Sequence, residues 1–531
     1  MQSSYLDDLA ILLHPDDDVA IARSAIPAGT RLRIDDESDG RLFARAAIPT
    51  GHKIARRAVP AGAPVLRYGQ PIGIATARIE PGDHVHTHNL SVRGLENSIG
   101  AAPTAEVSGM KAHGAAPGER SMTGKLSMPA DADSRHPQFL GFRRADGRVG
   151  TRNHVVVIST VNCSASVCRL VRDRFSDVAK EYPYVDSVTA LTHDGGCAGV
   201  LGSEDHAALM RVLGGYARHP NVAGCVLVGL GCEKNSVARL AAHQGLHDVP
   251  AFVIQEQGGT RRTADAVSDA VRRLLPRANE ARRTPEPASA LLLATNCGGS
   301  DSWSGVTANP ALGWAVDELI RHGGTGSLGE TTEIFGAEQL LAARAASPRV
   351  AQKLLERVRW WKEWLRLMGG DIETNPSPGN VAAGLTTVFE KSLGGIAKGG
   401  STPLMDVVHY AERIAARGLV FMDTPGFDPV SVTGMIAGGA TLVAFTTGCG
   451  SVLGSAVAPT IKLATSTALY RRMEDDMDID CGIMLNGVPL ADIGRTIFDR
   501  VLAVASGVRT RSEQQGLGEA EFVPWMRGPM V

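Results

Sequence analysis

Aromatic side chains are scarce in this 531-residue chain, at 5%, and neither sign of charge prevails: 54 Lys and Arg face 56 Asp and Glu, for a net charge of −2. The first shortage argues against large aromatic platforms and for many tight turns, which 60 glycines supply. The second leaves no basic field for nucleic acid or an anionic membrane. The start, MQSSYLDDLAILLHPDDDVA, has neither the basic residues nor the small-residue cleavage site of a secretory signal. The stretch from Pro429 to Ile461 is long and uncharged, but its glycines mark it as buried strands and loops rather than a membrane span. A cytoplasmic location is therefore expected, with reduced thiols. The eight cysteines then serve as packing, ligands or catalysts before disulfides. No Walker-type phosphate loop occurs. The GxGxxG at Gly324, Gly326 and Gly329 follows a helical pattern rather than a strand, so it fails as a dinucleotide fingerprint.

What is there divides into four stretches. Residues 1–95 carry short β-prone runs between Pro-Gly and Ala-Gly turns, as in AVPAGAPVLRYGQPIGIATARI, and predict a small all-β module. Residues 96–136 have the composition of a flexible linker. From Phe139 onward apolar runs alternate with helical stretches, which predicts α/β architecture with mainly parallel strands. A split at RRTPEP, near residue 285, divides this part into two α/β domains, 137–285 and 286–531. Expected strands include Val155–Ser159, Val185–Leu191, Val222–Val228, Ala290–Ala294 and Thr441–Phe445.

Five cysteines share one context, each following an apolar run in a loop of small residues: Cys163, Cys197, Cys232, Cys297 and Cys449. In parallel sheets, sites gather at the carboxyl ends of strands, so these loops are expected to line a crevice. Packing beside glycine is the plain alternative for any one of them. In DHVHTHN, His84, His86 and His88 recur at spacing two and would share one face of a strand, a good ligand row for Fe, Mn or Zn. His193 and Asp194 lie between an expected strand and the GGC turn, a favourable place for an acid/base pair. Glu330 and Glu333 in GETTEIFG are spaced for one face of a helical turn, either as a capping pair or as functional carboxylates.

Long motifs then occur in a consistent order: DGRVGTRN (146–153), TVNCSA (160–165), GLGCE (229–233), CGGSDSWSGVTANPALG (297–313), ETTEIFGAEQLL (330–341), LTTVFEKSLGGIAKGG (385–400) and MDTPGFDPVSVTGMIAGGA (422–440). Together these resemble the altronate/galactarate dehydratase family, and GHK (51–53) with HVHTHN (84–89) resembles the small β module, termed SAF, that the family carries. The resemblance implies removal of water from an aldonate or aldarate to give a 2-keto-3-deoxy acid, with Fe2+, sometimes replaced by Mn2+, as cofactor. An iron–sulfur cluster is the less favoured reading of the cysteine number. His52, Lys53, His193, Asp194 and Lys398 become the catalytic candidates. Arg152, Asn162, Gly298, Gly299, Ser300, Asp301, Glu330 and Cys449 become the substrate-binding ones, and His86, His88 and Cys297 the metal ligands. The β module would close over the crevice as a lid. The partner expected is a small sugar acid, with a homodimer left open and no nucleic acid or membrane.

Four features depart from the family pattern, one of them the turn HDGGC before Cys197, where HGxGC is more usual. Cys449 stands where an arginine is usual, and Ser455 and Ala456 replace a cysteine and a lysine. Losing two cationic donors implies an altered sugar acid rather than altronate itself. A sulfolactate-type lyase of the same family and a non-catalytic sugar-acid binding protein are the alternatives.

Overall fold

The run HVVVIS, His154–Ser159, is buried on both faces, as a central parallel strand must be. In the computed structural model, which describes residues 4–33, 41–93 and 137–528, it lies inside a four-stranded parallel sheet. The strand order is Ser187–Leu191, His154–Ser159, Val222–Gly229 and Ala251–Val253. A second, seven-stranded parallel sheet has the order Leu404–Val408, Gly418–Met422, Thr325–Leu328, Leu292–Cys297, Leu442–Thr447, Thr460–Ala464 and Ile479–Asp480. Helices Glu204–Ala217 and Asp428–Ala437 pack between the two sheets and join them in one apolar core. Among the described residues, no helix is long and apolar enough to cross a membrane.

The N-terminal part is strand-rich, with one short helix at Leu6–Leu9. Ala10–Ile11, Val19–Ala22, Lys53–Ala55 and His84–Val85 form an antiparallel sheet. Hairpin Pro64–Arg67 with Gln70–Ala75 belongs to another. The linker expected at 96–136 lies outside the described residues.

Several elements differ from expectation. Ala288–Ala290 is a short 3-10 turn and the strand starts at Leu292, so Cys297 ends the strand instead of following it. Thr325–Leu328, TGSL, is absent from the expected strands yet forms a central strand. Its small residues are what the packing demands: a Cβ on Gly326 would sit 2.6 Å from Cγ1 of Val316 on the overlying helix. The expected boundary at RRTPEP is also a strand, Thr284–Pro287, paired with Gln138–Arg143 at an edge where proline is tolerated. His84–Val85 is only two residues long, and His86 and His88 lie beyond it in a turn.

Candidate active site

The seven-stranded sheet ends in a buried polar centre at Cys297. The Lys398 ammonium, 1% exposed, donates to Cys297 Sγ at 2.8 Å and to Glu330 Oε2 at 2.5 Å. The Cys297 backbone N–H donates to the same Glu330 oxygen at 3.1 Å, and the Cys297 thiol to Glu333 Oε2 at 3.4 Å. Lys391 donates to Glu333 Oε1 at 2.7 Å and to Asn375 Oδ1 at 3.0 Å. Asp428 completes the group, accepting from Asn296 Nδ2 at 3.1 Å. Gly298 makes room for it, since a Cβ there would fall 2.1 Å from Asp428 Oδ2.

Glu330 sits in the left-handed backbone region at φ +67°, a conformation costing about 1–3 kcal/mol for a residue with a side chain and concentrated at functional sites. Burial raises its carboxyl pKa, and the Lys398 charge only partly offsets that, leaving it at about 7. Burial opposes the Lys398 charge, yet Cys297, Glu330 and Glu333 outweigh it and hold the amine above its ordinary value. Burial, reinforced by Glu330, pushes the Cys297 thiol up. Asp428 is raised well above the carboxylate range by burial and by Glu330 and Glu333, which favours its protonated form. Buried oxygens Glu330 Oε1, Asn296 Oδ1 and Ser300 Oγ have no partner, so the centre retains unused hydrogen-bonding capacity.

The β module reaches the edge of this centre. His52 Nδ1 lies 3.0 Å from His84 Nε2, and His86 stacks on His52 at 4.9 Å between ring centroids. His88 lies 5.5 Å from His84 on the same measure. His52 and His86 bond the carbonyls of Ala382 and Val381, next to Asn380, whose amide donates to the Ser300 carbonyl. The histidines therefore gather without sharing one strand face. The Cys297 group is a separate one: Cys297, Glu330 and Glu333 lie within single-ion spacing of one another, with His86 and His88 outside it.

Other expected site residues are placed elsewhere. Lys53 is fully buried, donating to Glu390 at 2.9 Å and to the Gly384 carbonyl at 2.8 Å, and so ties the module to helix Val388–Gly395. His193 has both nitrogens committed, one to the Ser159 carbonyl and one to the Gly195 N–H, and burial lowers its pKa to about 4. Asp194 accepts from Asn162 Nδ2, both at the end of the four-stranded sheet. Arg152 spends its guanidinium on Glu513 and on the carbonyls of Thr151, Val504 and Val508. We expect Arg152→Met to cost roughly 3 kcal/mol of stability by stranding Glu513, measured by urea unfolding, with turnover per folded molecule unchanged.

Asp301 accepts from Ser304 and Thr465, closing the turn after Cys297. Gly299 accepts from the Cys449 N–H at 2.8 Å, and Cys449 itself is exposed, its carbonyl held by Arg472. Ser455 and Ala456 line a smaller cavity of about 310 Å³ with Arg509 and Glu513. A cavity of about 800 Å³ lies at the opposite, amino-terminal edge of the strands, beside Leu292, Thr325 and Thr441. Sequence reasoning missed Lys391 and Asp428 and left Glu333 as a capping alternative. All three lie inside quoted motifs, which was the available signal.

Comparison with known proteins settles the lineage. Residues 288–530 match the C-terminal domain of D-galactarate/altronate dehydratase, 141–279 the second domain of D-galactarate dehydratase/altronate hydrolase, and 8–93 the altronate/galactarate dehydratase SAF domain. The chain belongs to the altronate/galactarate dehydratase family. It is 33% identical to altronate dehydratase of Escherichia coli (strain K12), over 96% of this chain and 97% of that one. It is 32% identical to altronate dehydratase of Bacillus subtilis (strain 168), over 96% and 97%. Galactarate dehydratase (L-threo-forming) of Escherichia coli is 36% identical over 71% of this chain and 75% of its own. Membership in this dehydratase family makes the chain a hydro-lyase.

Proposed function

We propose that the Cys297 centre dehydrates a sugar acid, an aldonate or aldarate, to a 2-keto-3-deoxy acid. The reading is carried by the buried Lys398 bridging Cys297 and Glu330 at a strand end, with a second lysine and a carboxyl held protonated beside it. One thiol and two carboxylates at single-ion spacing, with Glu330 Oε1 unpartnered, fit a divalent transition ion such as Fe2+ or Mn2+. Cys297, Glu330 and Glu333 would hold it, and it would supply Lewis acidity for the charge that develops next to the substrate carboxylate.

The chain's own groups do the rest. Lys398 and Lys391 provide fixed positive charge where the enolate forms, which is cheaper than reorganising water. With Glu330 holding the ion, the weakly acidic α-proton is removed by a base distinct from it. Asp428 donates its proton to the departing β-hydroxyl. Asp428→Asn keeps the bond geometry to Asn296 but removes that proton, so a loss of about a hundredfold to ten-thousandfold in kcat is expected with the melting temperature little changed. Incubating the protein with ferrous iron, a reductant and a panel of aldonic and aldaric acids should give 2-keto-3-deoxy product from at least one. Tight binding of a sugar acid without product would overturn the enzymatic reading.

A further inference from the structure

Cysteine is among the most buried residue types, and Cys168 and Cys225 of the four-stranded sheet unit conform. Cys163, Cys197 and Cys232 do not: all three are exposed and outside any disulfide, with Cys232 Sγ accepting from Gln255 Nε2 at 3.6 Å. Each follows a different strand, His154–Ser159, Ser187–Leu191 and Val222–Gly229, and these three strands are neighbours in the sheet. Their carboxyl ends therefore span roughly 10 Å, two interstrand spacings.

The three loops are also built around one another. The Asn162 N–H donates to the Gly195 carbonyl at 2.9 Å and the Asn235 N–H to the Gly196 carbonyl at 3.0 Å. Asn235 Nδ2 reaches the Thr160 carbonyl at 3.1 Å, and Thr160 Oγ1 reaches Glu233 at 3.2 Å. Cys197 and Cys232 are each preceded by a glycine at positive φ, +96° and +131°. A Cβ at Gly196 would collide with the Thr160 carbonyl at 2.3 Å, so the turn that presents Cys197 requires glycine. Behind Cys163, the 3-10 turn Asn162–Ser164 leads into helix Ala165–Asp173, which opens without a side-chain cap and points its positive dipole end toward these loops.

We infer that Cys163, Cys197 and Cys232 form a site for a [4Fe–4S] cluster, although the cysteine number alone did not favour one. Among the described residues, only Cys297, Glu330 and Glu333 gather at single-ion spacing, so Cys163, Cys197 and Cys232 do not form a site for one ion. Three thiolates satisfy three irons of a cuboidal cluster and leave the fourth open to an oxygen donor such as a hydroxyl or carboxylate. Uptake of a preformed cluster is a ligand exchange: each thiol gives up its proton and no electron moves. The bound cluster is anionic, which suits the uncapped helix end. This inference does not rest on the dehydratase chemistry at Cys297, because its readouts are spectroscopic.

The test uses the full chain, reconstituted without oxygen from iron, sulfide and a thiol. The expected result is a broad absorbance near ~400 nm with about four irons and four acid-labile sulfides per chain. Cys163→Ser, Cys197→Ser and Cys232→Ser should each lose most of the sulfide, whereas Cys449→Ser keeps it, with circular dichroism checking the fold of each. Alkylation mapped by mass spectrometry adds a readout on the unmodified sequence: the cluster should shield Cys163, Cys197 and Cys232 but not Cys449. Absence of labile sulfide, zinc in its place, or a chromophore that survives the three serine substitutions would overturn the assignment.

Discussion

Lys398→Met should lower turnover by about a thousandfold while leaving the protein folded. Both halves of that expectation follow from where the ammonium sits. It is the donor shared by Cys297 Sγ and Glu330 Oε2, so its loss removes positive charge from the point where the substrate's negative charge grows. Leaving a buried carboxylate unpaired is ordinarily destabilising. Glu330, however, already titrates at about 7, and without Lys398 it takes up a proton near neutral pH and relieves the penalty. Steady-state kinetics alongside thermal melting separates the two effects. A variant that loses stability and activity in step would assign Lys398 to the scaffold.

Glu390→Gln has the largest expected effect on stability, about 3–5 kcal/mol. Glu390 is completely buried between Lys53 and Arg67 of the β module and accepts further from the Thr386 N–H. Burial alone would raise its pKa, but Lys53 and Arg67 together bring it down to about 2. Burial nevertheless draws Lys53 down to about 8, since Glu390 is shared with Arg67. In the glutamine variant Lys53 can deprotonate; Arg67 cannot and stays buried as an uncompensated charge. The consequence extends to the site, because helix Val388–Gly395 carries Glu390 toward the module and Lys391 toward Glu333. The pH dependence has a defined sign. A depressed carboxylate pKa gives stability that is complete above the usual value near 4.5 and lost as pH falls through about 2. Thermal melts across pH 2–5 should show that decline in the parent protein and a flatter profile in Glu390→Gln.

Of the strands flanking the one that ends at Cys297, Leu442–Thr447 was legible from its continuous apolar run, whereas the small-residue strand TGSL was not. Cys297, Gly298, Glu330 and Lys398 were legible as motif residues, and the fold brings them together. Lys391 and Asp428 were not, because a helix-borne lysine and a first-turn aspartate are ordinary surface features until the neighbouring elements are placed. For His193, expected as catalytic, and Arg152, expected as substrate-binding, the sequence did not show the partners: two backbone bonds hold the one, Glu513 and three carbonyls the other. The spacing-two histidines were expected to share a strand face, but the strand stops at Val85 and the following turn gathers the rings instead.

The central claim is that the Cys297 centre removes an α-proton and then expels a β-hydroxyl through different groups. Proton NMR of a turned-over sugar acid in D2O tests it directly, by following the α-proton of unreacted substrate. In Asp428→Asn the α-proton should wash out into solvent while product formation is blocked, because abstraction survives and hydroxyl departure does not. In Lys398→Met both should cease. Elimination at the parental rate in Asp428→Asn, or washout that persists in Lys398→Met, would contradict the account.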